Sequence, residues 1–263
     1  MSAVRSTIAK TTTMNPSTIE QLQALRLSGM LEAWSEQQTT PTYHDLSFDE
    51  RFSLLVEREH HRRSQQRLQR RLKQAHLSTT AAVADIDFSV PRGLVKAKFL
   101  ELAQGQWLQE KLNLILVGPT GVGKTFLSSV LAQSCCTFGH TVRYLRSADL
   151  LLEMQLAKAD GSFPKLQRQL ASFGLLIFDD WLRDPLRPQE ARDLLDLLDL
   201  RYRKASSLFA TQLPVNQWHQ QIQDPTLADA MLDRIVHDSL RLILKGESMR
   251  KLTSKIQPHL ESA

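Results

Sequence analysis

Apolar positions along this chain change their spacing more than once, and each change marks a boundary. From Pro16, the segment STIEQLQALRLSGMLEAWSEQ carries Ile19, Leu22, Leu25, Met30 and Trp34 at near-helical intervals. Ser17 with Glu20 reads as a capping-box start, so a helix interrupted near Gly29 is expected. After the turn PTYHDLS, Phe52, Leu55 and Val56 open one face of a second, longer helix that Leu68 and Leu72 close. Residues 78–93, STTAAVADIDFSVPRG, break the helical pattern with small residues, Pro91 and Gly93, and read as a linker docked by Phe88. A helix over 95–109 follows.

Beyond it the pattern alternates. The runs LNLILV, TVRYL, LLIFDD, SLFAT and LRLILK are strand-like, and helical stretches separate them: one through Leu131, then LLLEMQLAKA, ARDLLDLLDLRYRK and ADAMLDRIVHDSL. Strands joined by helices of this length imply right-handed crossovers and a parallel sheet covered on both faces, hence an α/β fold. The organisation expected is a loose polar tail over 1–15, a small all-helical N-terminal domain over 16–77, a linker over 78–94 and an α/β domain over 95–263.

Composition narrows the class. With 42% apolar and 23% charged residues in 263 positions, the chain has ordinary globular usage and the length for one generous core with a satellite. No run approaches the roughly 20 apolar residues of a membrane span, and the N-terminus lacks a secretory core, so a soluble, cytoplasmic protein with no membrane partner is expected. Cys135 and Cys136 are neighbours without CxxC spacing and read as core.

The densest chemistry lies between the first strand-like run and the helix after it. Gly118, Pro119, Thr120, Gly121, Val122, Gly123, Lys124 and Thr125 match GxxxxGK[ST] in a strand–loop–helix context. The glycines turn successive N–H groups inward toward phosphates, and the helix dipole adds to that field. Lys124 reaches the β and γ phosphates in such a loop, and the Thr125 hydroxyl completes a Mg2+ shell. ATP and Mg2+ are therefore the expected cofactors.

A second cluster ends the run LLIFDD. Two carboxylates at the tip of a buried strand are costly unless a cation stands beside them. Asp179 is accordingly the expected metal ligand, as the Walker B residue, and Asp180 the group that orients or deprotonates the attacking water. Gln212, just past SLFAT, is a candidate to hold that water.

Net charge is +5 and the isoelectric point near 9.3, which points to an anionic partner. Arg62, Arg63, Arg67, Arg70 and Arg71 crowd the second helix, where Glu59 is the sole acid between Arg58 and Lys73. Two readings compete: a solvated helix face, or a surface that binds DNA phosphates without compensating carboxylates.

Together with GPTGVGKT, the segments LLIFDDW, ATQLPVNQWH, DPTLADAMLDRIVH and LKGESMRK resemble the IstB family of AAA+ P-loop NTPases, ATP-dependent helpers of insertion-sequence transposases. The DnaC and DnaI helicase loaders are similar in fold. This resemblance implies an ATPase that oligomerises on duplex DNA with ATP and recruits a cognate transposase; a helicase loader is the alternative. It also implies that Arg234 is an arginine finger acting on a neighbouring subunit, that Arg250 is a sensor or second finger, and that Gln212 stands where the loaders carry a sensor Asn. Lys158, Lys165 and Arg168 fall in what looks like the helical insertion with which initiator-type members touch DNA. Fewer than twenty residues follow LRLILKG, so no full C-terminal lid is expected. A small-molecule kinase would share the loop, but no lid arginines or substrate pocket accompany it here.

Overall fold

The computed structural model describes residues 15–252, so the expected tail lies outside the described residues apart from Asn15. Two compact units divide the chain, one up to Gln69 and one from Arg70.

The first unit holds helices α1 (Pro16–Ala24) and α2 (Ser28–Thr39), and most of α3 (Phe48–Ala75), which runs across the division. Two local expectations are corrected. Asn15 rather than Ser17 caps α1, its side-chain oxygen accepting the Ser17 N–H at 3.1 Å, with Pro16 supplying a preset φ behind it. The break falls at Arg26, in the left-handed region at φ +57°, and not at Gly29. Gly29 sits buried inside α2, where its N–H donates to Glu59 Oε2 at 2.7 Å and an added Cβ would stand 2.8 Å from that oxygen. The capping box belongs to α3 instead, between Ser47 and Glu50.

In the second unit the end of α3 leads into segment 78–94, buried at Ala81, Ile86 and Leu94, with Phe88 edge-on to Phe99 at 6.2 Å. The helix expected over 95–109 is two helices, α4 (Lys96–Ala103) and α5 (Gln106–Gln109), parted at Gly105. The five expected strands all form: β1 (Asn113–Val117), β2 (Val142–Arg146), β3 (Leu175–Asp179), β4 (Ser206–Thr211) and β5 (Ser239–Ile243). They pair in the order β2-β3-β4-β1-β5, with every pairing parallel. Between them run α6 (Lys124–Thr137), α7 (Ser147–Ala159), α8 (Phe163–Ala171), α9 (Pro188–Arg201) and α10 (Pro225–Val236); α11 (Met249–Leu252) ends the described chain. Residues 237–239 are expected at the end of the last crossover helix. They turn and enter β5 instead, because Ser239 pairs with Asn113 and Leu240 with Leu114.

Strand alternation sorts the faces. Ile115, Leu145, Leu176, Phe178 and Phe209 share one core with α7 to α10, closed by a cluster in which Phe178 stacks on Phe209 at 4.9 Å and Trp181 meets Phe209 at 4.9 Å. Residues of opposite parity, Asp179 and Tyr144 among them, therefore face α6. The phosphate-loop sequence leaves the C-terminal end of the inner strand β1, between β4 and β5, and leads into α6. Both cysteines are buried in α6, where burial pushes their thiols up, to about 12 for Cys135 and about 11 for Cys136.

Candidate active site

The loop 118–123 turns through two left-handed glycines, Gly121 at φ +81° and Gly123 at φ +102°, a conformation that side chains with a Cβ rarely adopt. Space is short as well. A Cβ on Gly121 would lie 2.1 Å from Ser248 Oγ, because the chain after β5 folds back over the loop and the Met249 N–H donates to Gly121 O at 2.8 Å. In the absence of a separate lid among the described residues, segment 244–249 roofs the loop.

Lys124, at the start of α6, is buried, and its ammonium donates to Gly118 O at 2.7 Å and Pro119 O at 2.9 Å. Burial lowers its pKa, while the negative charges of Asp179 and Asp180 oppose that shift. On the neighbouring turn the Thr125 hydroxyl donates to Asp179 Oδ2 at 2.7 Å. The same oxygen accepts the Tyr144 hydroxyl, and the Ser147 hydroxyl holds the Asp179 carbonyl at 3.0 Å. Burial, then the bond to Asp179, raises the Tyr144 phenol, which stays a donor.

Asp179 is 2% exposed, and its second oxygen, Oδ1, is buried with no hydrogen-bond partner. An orphaned carboxylate oxygen beside a threonine hydroxyl is a hard, anionic donor pair, and it fits magnesium.

Beyond Asp179 the backbone turns sharply, with Asp180 at φ +53°. That turn is pinned to β4, since Trp181 N–H donates to Ala210 O at 2.9 Å and the Thr211 hydroxyl to Trp181 O at 2.8 Å. Gln212 follows Thr211, and its Oε1 accepts the Thr120 hydroxyl at 2.7 Å. Trp218, fully buried, ties the same turn by donating to Leu213 O at 3.0 Å. The motif residues Thr120, Lys124, Thr125, Asp180 and Gln212 thus come together around one cavity of about 630 Å³.

Other candidates lie elsewhere. Arg234, near the end of α10, pairs with Asp199, and its carbonyl accepts from Asn113 at 3.2 Å, at the end of β1 opposite the phosphate loop. Arg250 lies in α11, but its side chain is outside the described residues. The Arg62 and Arg63 guanidiniums both bind the buried carboxylate of Glu59 at 2.7 Å, which corrects the expectation of a row without a compensating carboxylate. Those hydrogen bonds, Arg62's first, draw Glu59 down to about 2. Arg67 donates to Ser64 at 3.3 Å, and Arg71 to Cys136 O at 3.4 Å; Arg70 shares α3. Lys158 is bound by Asp193 and lies over the Phe163 ring at 4.9 Å, Arg168 donates to Pro164 O at 3.1 Å, and Lys165 lines an open groove between α7 and α8.

Sequence reading missed Arg92, Tyr144 and the roof over the loop. Tyr144 lies in a strand and Arg92 in a linker, and neither sits in a motif; only their approach to the loop and to Asp179 reveals them.

Comparison with known proteins agrees with this geometry. The family model of IstB-like ATP binding proteins matches residues 20–257. The chain is 41% identical over 234 residues to the putative insertion sequence ATP-binding protein y4pL of Sinorhizobium fredii, covering 89% of this chain and 96% of that one. It is 42% identical over 202 residues to the putative ATP-binding protein of insertion sequence IS1162 from Pseudomonas fluorescens, with 76% and 87% covered. Among solved structures, the crystal structure of DnaI superposes with a TM-score of 0.55 at 16% identity, over 62% of this chain and 90% of that one. Together they assign the second unit the P-loop NTPase fold of the AAA+ type.

Proposed function

Because the chain belongs to the family of IstB-like ATP-binding proteins, we propose that it is the ATP-hydrolysing helper of an insertion-sequence transposase, which assembles on duplex DNA when Mg-ATP is bound. One observation carries the nucleotide part of this reading: the buried, unpartnered Oδ1 of Asp179, whose other oxygen holds Thr125, a residue that lines one cavity with Lys124, Asp180 and Gln212. Thr125 and Asp179 hold the magnesium, which supplies charge stabilisation on the phosphate oxygens when bound. The backbone N–H groups of Gly121, Gly123, Lys124 and Thr125 and the Lys124 ammonium bind the phosphate chain. Asp180 accepts a proton from the attacking water at a carboxylate oxygen, and the Gln212 side chain orients that water. The Tyr144 hydroxyl holds Oδ2 of Asp179 together with Thr125, which leaves Oδ1 for the cation.

Arg234 acts on the site of a neighbouring subunit. Its position at the far end of β1 supports this, since within its own chain it meets Asp199 and not the phosphate loop. DNA is held mainly through its backbone by Lys165, Arg168 and the basic part of α3, of which Arg62 and Arg63 are already committed to Glu59.

Sedimentation of the purified chain with a labelled duplex tests assembly: complexes larger than one subunit are expected with ATP and Mg2+ and are lost with EDTA. Mixing Arg234→Ala with Asp180→Ala chains tests the finger. Each variant alone binds ATP without hydrolysing it, and the mixture recovers part of the activity. No recovery, together with assembly that ignores ATP, overturns the proposal.

A further inference from the structure

Six charged side chains are buried among the described residues, and Arg92 is the least satisfied of the cations. It lies at the end of the linker, 3% exposed. Its backbone is pinned, because the Lys245 N–H donates to Arg92 O at 2.9 Å. Its guanidinium reaches the phosphate loop, where Nη1 donates to Val122 O at 3.3 Å and would stand 2.8 Å from a Cβ on Gly123. Nη2 donates to Asp87 O, also at 3.3 Å, and Nε is buried without a partner.

A guanidinium offers five N–H donors, and two long bonds to neutral carbonyls leave most of that capacity unused. Neither of these bonds is to a carboxylate. Asp87, the nearest acid in the linker, spends its carboxylate on the Ser89 N–H at 2.8 Å and on the Ser89 hydroxyl. Burial lowers the pKa of Arg92, and the nearby charge of Asp87 opposes that shift only in part. Arg201 in the same unit makes the contrast. It is buried to 1%, and its guanidinium is spread over Ser207 Oγ and the carbonyls of Leu170, Ala171, Phe173 and Ser206. Arg201 is a structural clamp with its donors spent. Arg92 keeps its donors on the wall of the cavity that Lys124 and Thr125 line.

We propose that Arg92 is a nucleotide contact supplied by the linker: its free guanidinium donors bind the phosphate chain seated in the loop, so that the linker is clamped when nucleotide is present. The proposal rests on the nucleotide site argued above. A planar fork of donors suits phosphate oxygens, and binding there would replace two long bonds with charge-assisted ones. The linker would then report nucleotide occupancy to whatever lies before it in the chain.

The test uses the full chain. In the wild type, hydrogen exchange of amides in residues 87–93 should slow roughly tenfold or more on saturation with ATP and stay unchanged with adenosine, which lacks phosphates. Arg92→Gln should weaken ATP and ADP binding by roughly tenfold and remove that protection, while Arg92→Lys recovers part of the affinity but not the protection. Calorimetric ATP binding that is lost in Lys124→Ala but equal in wild type and Arg92→Gln overturns the role of Arg92 and leaves the loop assignment standing. If Arg92→Gln does not fold, wild-type exchange decides: a chain that binds ATP with no change in residues 87–93 refutes the clamp. A folded wild type that takes up no ATP overturns the loop assignment, and this inference with it.

Discussion

Replacing Lys124 by alanine removes the charge that the phosphate loop is built around, and the structure sets the size of the effect. The ammonium already makes two hydrogen bonds, to Gly118 O at 2.7 Å and to Pro119 O at 2.9 Å. To serve a phosphate chain it must trade these for bonds to anionic oxygens. Two charge-assisted bonds contribute about 3–6 kcal/mol between them, and the two bonds to neutral carbonyls given up offset about 1–2 kcal/mol of that. A net loss of roughly 1–5 kcal/mol follows for Lys124→Ala, or about 5- to 5,000-fold in affinity. The truncation relieves a buried cation but also strands the carbonyls of Gly118 and Pro119, and because these effects oppose each other the free variant should stay close to wild type in stability. Calorimetry with ATP and Mg2+ on both proteins, with urea melts run beside it, measures the two effects. A variant equally stable yet binding within threefold of wild type would refute the role assigned to the loop.

Three further outcomes are expected. Gly121→Ala forces φ +81° on a residue with a Cβ placed 2.1 Å from Ser248 Oγ, so it should lower the melting temperature and weaken nucleotide binding; the double variant Gly121→Ala/Ser248→Gly should recover part of the loss, and strict additivity would argue against the roof. Arg201→Met strands the carbonyls of Leu170, Ala171, Phe173 and Ser206; at roughly 1–3 kcal/mol per stranded group the urea midpoint should fall by several kcal/mol equivalent, and a loss under about 1 kcal/mol would contradict the clamp. Glu59 is held near 2 in the folded chain against 4.5 for a free glutamate, so its stabilisation is complete above pH 4.5 and disappears as the pH falls toward 2; urea melts at pH 5 and pH 3 should show this fall in wild type and a smaller one in Glu59→Gln.

The sheet and the phosphate loop were legible because their signals are contiguous. A buried strand, a glycine loop and a helix follow one another at β1, and Asp179 closes a strand whose burial is written in its own letters. Where the outcome depended on a distant segment, local patterns misled. Gly29 looked like a helix break, yet it is kept small by Glu59 from another helix, while Arg26 takes the left-handed turn that a glycine was expected to make. Arg62 and Arg63 looked uncompensated because they outnumber the acids near them. One buried carboxylate at helical spacing satisfies both. Tyr144 carries no motif, and its role arises only because β2 lies beside β3 with Tyr144 and Asp179 on one face.

Buried charge separates the scaffold of this protein from its site. Glu59, Asp193 and Arg201 are charged groups with their hydrogen bonds made: Glu59 with two arginines and a backbone N–H, Asp193 with Lys158 and Gln189, Arg201 with backbone carbonyls and a serine. Arg92, Lys124 and Asp179 are buried as well, but none has an opposite charge in direct contact, and two of the three keep an orphaned polar atom. Desolvating charges without partners costs several kcal/mol apiece, a sum that is hard to sustain within a folding stability of about 5–15 kcal/mol unless a ligand offsets it. The signs say which ligand. Two cations touch the loop, and one carboxylate stands behind Thr125, which is the complement of an anionic phosphate chain carrying a divalent cation. Such a ligand, binding only the folded chain, would stabilise it by about 2.7 kcal/mol at a hundredfold excess over its dissociation constant. The groups that weaken the free domain are therefore the ones through which nucleotide strengthens it.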